Sequence, residues 1–394
     1  MRRFVLAAAI TLVAVLALVL VLGAGSHTAS SGSESGSGAG PVPRAAGPAT
    51  HAAIGFSDED PDVFAKPAFR LLASRLRIRM ARLIVPYDNP AAAAGWTARA
   101  RAAGQSPYLT LGADDSCTNP AGVLPATGNC PPPAAAAYAA GFVALVRAFP
   151  WVHDWGAWSE PSNDVYYPCA TSHGAPPPAA GACASTRLGP QQAAGYWLAA
   201  EAADRSLGRS DTIVAGETGA DCTAPAFNLC TSDGGRTWTG YVPNYLAGLG
   251  AARPSVWGTH SYHDLQRRPA LGATETEQFV RYLNQAAGAP QVWLTEEGTW
   301  LEGPNGGLLD GDAAAQQAAA REFLALPLVP AARAGQVARE YYYLLQAKRD
   351  NGFDSALLDY NGVPRPAFCV LVGEPASDCR GQTTDLRGVG ATAG

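Results

Sequence analysis

The sequence is short of charge and of histidine, and each shortage argues against a class of protein. Only 15% of its 394 residues are charged, and 28 Lys and Arg stand against 33 Asp and Glu, for a net charge of −5. Because nucleic-acid binding needs a surplus of basic groups on one face, we expect no nucleic-acid partner. Six histidines are too few to complete zinc sites with the eight cysteines, none of which has C-x-x-C spacing. We therefore expect no metal and no other cofactor.

Short motifs of several enzyme classes are also missing. The sequence contains no H-E-x-x-H and no G-x-S-x-G, which argues against a zinc protease and an α/β-hydrolase. It has no G-x-G-x-x-G after the first predicted strand and no G-K-S/T phosphate loop. These absences weaken the alternative of a doubly wound, nucleotide-binding sheet.

The N-terminus carries an export signal. Arg2 and Arg3 precede an apolar run over 4–22, broken only by Thr11. Nineteen residues are long for a cleaved signal peptide and just enough to span a bilayer, so segment 1–24 is either a signal peptide or an N-terminal membrane anchor. Both alternatives place the protein outside the cell or at the cell envelope.

The cysteines agree with export because disulfides persist in oxidising compartments. All eight lie after residue 116, and they fall into four pairs that are close in sequence. Eight cysteines allow 105 connectivities, of which nearest-neighbour pairing is the simplest. The predicted pairs are Cys117/Cys130, Cys169/Cys183, Cys222/Cys230 and Cys369/Cys379.

The remainder of the chain divides into a linker, one domain and a tail. Residues 25–50 are rich in Ser, Gly, Ala and Pro and predict a flexible linker, and 381–394 predict a disordered tail. Between them, over 51–380, apolar strand-like runs alternate with helical patterns, one of them the helix predicted at Ala331–Arg349. The predicted strands are Ala52–Ser57, Met80–Pro86, Ser106–Ala113, Val152–Glu160, Thr212–Gly216, Ser255–Tyr262, Gln291–Glu297 and Phe353–Tyr360. Eight such repeats predict an α/β fold, a single catalytic (β/α)8 TIM barrel, which we expect to be monomeric.

Two of these strands end in carboxylates with aromatic neighbours. The fourth leads into W-G-A-W-S-E-P-S-N, with Glu160, and the seventh into W-L-T-E-E-G-T-W, with Glu296 and Glu297. Glycoside hydrolysis needs one carboxylic acid for the leaving oxygen and a second carboxylate as nucleophile or base. Strand ends four and seven can converge across a barrel mouth to about 5 Å, the separation of a retaining enzyme. We predict Glu160 and Glu296 as this pair, with Glu297 as the alternative to Glu296.

Other polar side chains also follow predicted strands, where barrel enzymes keep their chemistry. These residues also have a simpler structural interpretation. The acids could be solvated loop residues, and Tyr360, like the nearby Trp300, could be a packing residue. The strand-end groups are Asp58, Asp88, Asp114, Glu160, Glu217, His260, Glu296 and Tyr360.

The motifs resemble those of the clan of retaining (β/α)8 glycoside hydrolases, which includes family 5 cellulases and mannanases and family 39 xylosidases and iduronidases. The resemblance implies Glu160 as acid/base and Glu296 as nucleophile. It also implies that Arg82 lies beside the nucleophile and that His260 and Tyr262, in H-S-Y, line the site. Arg82 could instead be a structural ion-pair partner, and His260 and Tyr262 could be core polar groups. The predicted substrate-binding residues are Arg82, Ser159, His260, Tyr262, Trp300, Tyr360, Asp58 and Glu217.

Two features depart from the clan's pattern. Ser159 stands where the clan has Asn before the acid, and the predicted eighth strand ends in Tyr360 rather than Trp. The expected function is a secreted or membrane-tethered retaining glycoside hydrolase that acts on an oligo- or polysaccharide. The alternatives are a catalytically silent carbohydrate-binding barrel of the cell envelope and a transglycosylase that uses the same residues.

Overall fold

The structure is a computed structural model, and nine parts of the chain are described. Among these residues no helix is both long and apolar enough to cross a membrane. The predicted export segment, the linker, the tail, Trp300 and three of the predicted disulfides lie outside them. The described residues are 52–112, 132–161, 189–219, 237–267, 274–298, 301, 313–325, 336–348 and 354–374.

Eight parallel strands form a closed barrel in which each strand pairs with its neighbours in chain order and β8 pairs with β1. This confirms the predicted (β/α)8 barrel. The strands are β1 (Ala53–Ser57), β2 (Met80–Pro86), β3 (Ser106–Gly112), β4 (Asp154–Gly156), β5 (Thr212–Thr218), β6 (Val256–His260), β7 (Gln291–Glu297) and β8 (Val337–Tyr343).

Helices alternate with these strands and cover the barrel. One start that is visible in the sequence is confirmed: the Thr274 side chain accepts the Glu277 amide, and the Glu277 side chain accepts the Thr274 amide, a capping box. The described α-helices are α1 (Pro67–Leu76), α2 (Pro90–Ala102), α3 (Ala135–Ala148), α4 (Pro190–Ser206), α5 (Thr237–Leu249), α6 (Tyr262–Arg267), α7 (Glu275–Ala286), α8 (Ala313–Ala325) and α9 (Pro366–Val372).

The amino-terminal half of the barrel interior is filled by side chains. Arg339 on β8 lies over the ring of Trp293, 3.7 Å from its centroid, and donates to Asp154 on β4 at 2.6 Å. Trp293 also belongs to a buried cluster with Tyr108, Val214, Val256 and Tyr341. The barrel is therefore closed at this end, and its polar groups collect at the carboxyl end of the strands.

The prediction of the eighth strand is wrong. Strand β8 is Val337–Tyr343, inside the segment 331–349 that was predicted to be a helix, while the described part of 353–360 forms only isolated bridges and turns. The adjacent charges Arg339 and Glu340 broke the apolar run that the other strands show. Tyr343, rather than Tyr360, therefore ends the last strand.

Candidate active site

Arg82, on β2, lies at the centre of a group of charged side chains at the carboxyl end of the barrel. It is fully buried and donates from Nη1 to Glu296 Oε1 on β7 and from Nη2 to Glu217 Oε2 on β5, the latter at 2.7 Å. An arginine has five N–H donors, and five acceptors surround this one. The other three acceptors are the hydroxyls of Ser57, Thr110 and Ser159, each at 3.2 Å.

Glu296 is held by three groups: Arg82 on β2, His260 at the end of β6 and Tyr262 at the start of α6. Besides Arg82, the Tyr262 hydroxyl donates to its Oε2 at 3.0 Å, and His260 Nδ1 lies 3.6 Å from the same oxygen. Burial alone would raise the pKa of this carboxyl. The positive charges of His260 and Arg82 and the hydrogen bonds outweigh burial, so the pKa is lowered from its ordinary value and Glu296 is held as the anion.

Glu160 reaches the same place from the other side of the barrel. It follows β4 in the left-handed backbone region, with φ of 44°, and its amide donates to the Glu217 carbonyl at 3.0 Å. Its Oε1 lies 2.7 Å from His260 Nδ1. Its side chain keeps 15% exposure, more than that of Glu296 or His260, so Glu160 is the more open member of the cluster.

The two candidate carboxyls converge as the strand positions predict. One oxygen of Glu160, one of Glu296 and a ring nitrogen of His260 all lie within 4.8 Å of one another. Burial would lower the pKa of His260, but the charges of Glu296 and then Glu160 raise it overall, which favours the protonated imidazole. The arrangement can hold an anion beside a proton-carrying group.

The same three residues are the group whose geometry, among the described residues, could hold a cation. A His with two carboxylates is a reasonable donor set for zinc. However, both oxygens of Glu296 already accept hydrogen bonds, and one of these donors is the Arg82 guanidinium. A metal ion would have to enter beside a permanent positive charge, so the contacts favour carboxylate chemistry over metal binding.

The other predicted substrate-binding residues differ in burial and in their contacts. Asp58 is buried and accepts the amides of Leu345 and Asp60, which ties the end of β1 to the segment after β8. Burial, with the neighbouring charge of Glu59, raises the pKa of Asp58 to about 7. Tyr360 is 49% exposed and lies in a turn.

Ser159 and Glu217 are fully buried, and both accept hydrogen bonds from Arg82. Neither presents its polar group to solvent, so contact of either side chain with a sugar stays a prediction without support from this geometry. The tryptophans near Glu160, Trp155 and Trp158, are core residues with at most 2% exposure. Their rings pack on Phe142 and on buried tyrosines.

Several members of this site were not predicted from the sequence. Tyr108 and Thr110, two residues apart on β3, both donate to Glu217 Oε1. Tyr343, at the end of β8, donates its hydroxyl to Glu59 at 3.2 Å. The alternation of β3 could have placed Tyr108 and Thr110 on one face, but nothing in the sequence shows that this face points at a buried carboxylate.

Comparison with known proteins shows the fold. No family model matches the chain, and no curated protein matches it. A family 39 glycoside hydrolase structure from Bacteroides cellulosilyticus WH2 is similar with a TM-score of 0.50 at 12% identity, over 82% of this chain and 63% of that one. The chain therefore spans less than two thirds of that structure.

Two further solved structures are similar in outline. The exo-beta-1,4-mannosidase Op5Man5 from Opitutaceae bacterium strain TAV5 has a TM-score of 0.49 and 15% identity, over 85% of this chain and 60% of that one. A GH10 endoxylanase from a sugarcane soil metagenome has a TM-score of 0.48 and 12% identity, over 82% and 96%. The family 39 structure carries the conclusion: the chain has the (β/α)8 barrel fold found in that glycoside hydrolase.

Proposed function

We propose that the protein is a retaining glycoside hydrolase acting on an oligo- or polysaccharide. The observation that carries the proposal is the meeting of Glu160 and Glu296 within 4.8 Å, with Glu296 held anionic by Arg82, His260 and Tyr262. Carboxyls about 5 Å apart leave no room for a water between them and the sugar, which favours direct attack by one of them. The fold similarity to a family 39 glycoside hydrolase agrees with this function.

In the first step Glu296 attacks the anomeric carbon as the bond to the leaving oxygen breaks, and Glu160 gives its proton to that oxygen. Arg82 and Tyr262 donate to the Glu296 carboxylate and keep it in one orientation. Oε1 of Glu160 lies 2.7 Å from His260 Nδ1, a contact that holds the proposed acid beside the nucleophile. The product of this step is a glycosyl ester of Glu296 and a free alcohol.

In the second step water attacks the same carbon and Glu160 takes its proton. The ester bond breaks and Glu296 returns as the anion, which His260 and Arg82 stabilise. Two displacements at one carbon leave its configuration unchanged. If a sugar hydroxyl replaces water, the same residues carry out transglycosylation.

The proposal is tested by trapping the protein with activated 2-fluoroglycosides of several sugars and locating the label by mass spectrometry. Glu296 should carry the sugar in the wild type, and Glu296→Gln should carry none. Label on Glu297 would contradict the assignment of the nucleophile. A wild type that binds glycans, yet neither traps any of these reagents nor turns over aryl glycosides, would be a carbohydrate-binding barrel instead.

We also propose that the protein is exported, and either secreted or anchored by residues 4–22. The apolar run and the cysteine pairs of the sequence support this. The pairing of Cys369 with Cys379 stays a prediction. Fractionation of cells that express the full chain, with N-terminal sequencing of the product, distinguishes a cleaved signal from an anchor, and a full-length cytosolic product would contradict both.

A further inference from the structure

Glu217 has an environment that a substrate ligand would not need. It is the penultimate residue of β5, and both of its oxygens are occupied: Oε1 accepts from the Tyr108 and Thr110 hydroxyls, and Oε2 accepts from Arg82 at 2.7 Å. The residue has no exposed surface. Its carboxylate therefore interacts with protein groups alone.

The neighbouring strands leave space for this side chain. A Cβ at Gly156, on β4, would overlap Oε1 of Glu217, and a Cβ at Gly258, on β6, would lie 2.5 Å from its Cγ. Glycine on both sides makes a slot that holds Glu217 between β4 and β6. Any other residue at either position would displace the carboxylate from Arg82.

The backbone of Glu217 reaches the second candidate carboxyl. Its carbonyl accepts the amide of Glu160 at 3.0 Å, and both residues adopt positive φ, 43° and 44°. This left-handed region is uncommon for residues with a side chain. One residue thus touches Glu160 through its main chain and reaches Glu296 through Arg82.

We propose that Glu217 is a positioning residue that sets the orientation of Arg82 beneath Glu296 and the approach of Glu160. The inference rests on the proposed function and concerns the same site. Arg82 places Nη1 on Glu296 and Nη2 on Glu217, so its guanidinium is held between two carboxylates. If the Glu217 carboxylate is moved away, Arg82 can turn and form a bidentate hydrogen bond with Glu296 through two guanidinium nitrogens, the favoured arrangement for an isolated pair. This arrangement would reorient the Glu296 carboxylate, which must attack the sugar.

Two variants separate position from charge. Glu217→Asp keeps the charge but withdraws the carboxylate by one methylene, while Glu217→Gln keeps the length and an acceptor oxygen. We expect Glu217→Asp to lower kcat by about tenfold or more with KM within about threefold, since a small displacement at a site costs rate rather than affinity. Glu217→Gln should lose clearly less.

The matched control is Glu340, a fully buried strand glutamate on β8 that does not contact Arg82. Glu340→Asp and Glu340→Gln should keep the wild-type kcat. Crystal structures of the two Glu217 variants give a readout that needs no turnover. Arg82 should shift toward Glu296 in Glu217→Asp and stay in place in Glu217→Gln.

Wild-type kcat in Glu217→Asp, or a larger loss in Glu217→Gln than in Glu217→Asp, would overturn the inference. The proposed function fails separately, if the wild type hydrolyses no glycoside. In that case the crystal structures still decide, because an unmoved Arg82 in Glu217→Asp contradicts the positioning role.

Discussion

Glu296 and Glu297 are neighbours in the chain with opposite surroundings. The carboxylate of Glu296 contacts Arg82, Tyr262 and His260, and its pKa is lowered. Both oxygens of Glu297 are buried and lack a hydrogen-bond partner among the described residues. Burial, followed by the charges of Glu340 and Asp264, holds the pKa of Glu297 well above its usual range.

The difference follows from strand alternation, since successive side chains on a strand point to opposite faces. Tyr341 on β8 belongs to the interior cluster, whereas Tyr342 packs on Phe323 of α8, so the same alternation directs Glu340 to the helix side. Glu297 and Glu340 are therefore two buried acids whose pKa values burial raises, while Glu296 is an ion with matched cations. The partners of a carboxylate, more than its place in the motif, decide which reaction it can support.

The largest expected effect separates these two neighbours directly. Glu296→Gln should lower kcat for an activated aryl glycoside by at least about 10⁴-fold, because the attacking carboxylate is lost. Glu297→Gln should stay within about threefold of the wild type, since its carboxyl has a raised pKa and no hydrogen bond to a cation among the described residues. A large loss in Glu297→Gln at unchanged melting temperature would reverse the assignment.

The second prediction concerns Arg82, the cation that contacts Glu296 and has no counterpart at Glu297. Arg82→Met leaves Glu296 and Glu217 buried without their shared partner, so the free energy of unfolding should fall by about 3–5 kcal/mol in urea denaturation at pH 7. Arg339→Met, at the other end of the barrel, is the control. The side chains of Arg339 and its partner Asp154 keep 23% and 12% exposure, so a smaller loss than that of Arg82→Met is expected there. Equal losses would show that the cluster around Arg82 is not special.

The third prediction concerns the buried acid Glu340 and the dependence of stability on pH. The folded pKa of Glu340 is raised by burial well above its ordinary 4.5, so the folded state holds a proton that the unfolded state releases above that pH. The contribution of Glu340 to stability is therefore full below about pH 4.5 and is lost as the pH rises toward the folded pKa.

Glu340→Gln removes this loss. It should be more stable than the wild type by about 1–3 kcal/mol at pH 8 and nearly equal to it at pH 4, as measured by chemical denaturation at both values. A variant that is less stable at pH 8 would mean that Glu340 is ionised and paired. The control is Glu201→Gln on α4, a partly exposed acid, for which little change is expected.

The smallest expected effect on activity tests the hydrogen bond between Tyr262 and Glu296. Tyr262→Phe removes one hydrogen bond to the anion, so kcat/KM should fall by roughly tenfold. Because this bond lowers the pKa of Glu296, its loss should also move the acid limb of the pH profile to higher pH. A limb that moves to lower pH, or does not move, would contradict the assigned contact.

The sequence predicted the barrel because seven of its strands are mostly apolar, even where a single charged residue such as Arg82 interrupts the run. The eighth strand was not predicted, and the reason is physical. Segment V-A-R-E-Y-Y-Y places Arg339 and Glu340 side by side. Because charged residues are rarely buried, two adjacent charges argued against a buried strand in this segment. Three consecutive tyrosines were the overlooked strand signal.

The candidate site was predictable to the extent that its members end strands or belong to short motifs. Glu160, His260 and Glu296 converge as their positions required. The role of Glu217 was not visible, because it depends on glycines at 156 and 258 and on hydroxyls from another strand. Contacts between distant strands set such a slot, and no local pattern reports them.

The central claim is that Glu160 and Glu296 act as a close pair in a double displacement. The most direct measurement is proton NMR of a reaction with an aryl glycoside that the enzyme accepts, recorded before the sugar product mutarotates. The account predicts that the first anomer to appear has the configuration of the substrate. First appearance of the opposite anomer would require a single displacement by water and would contradict it.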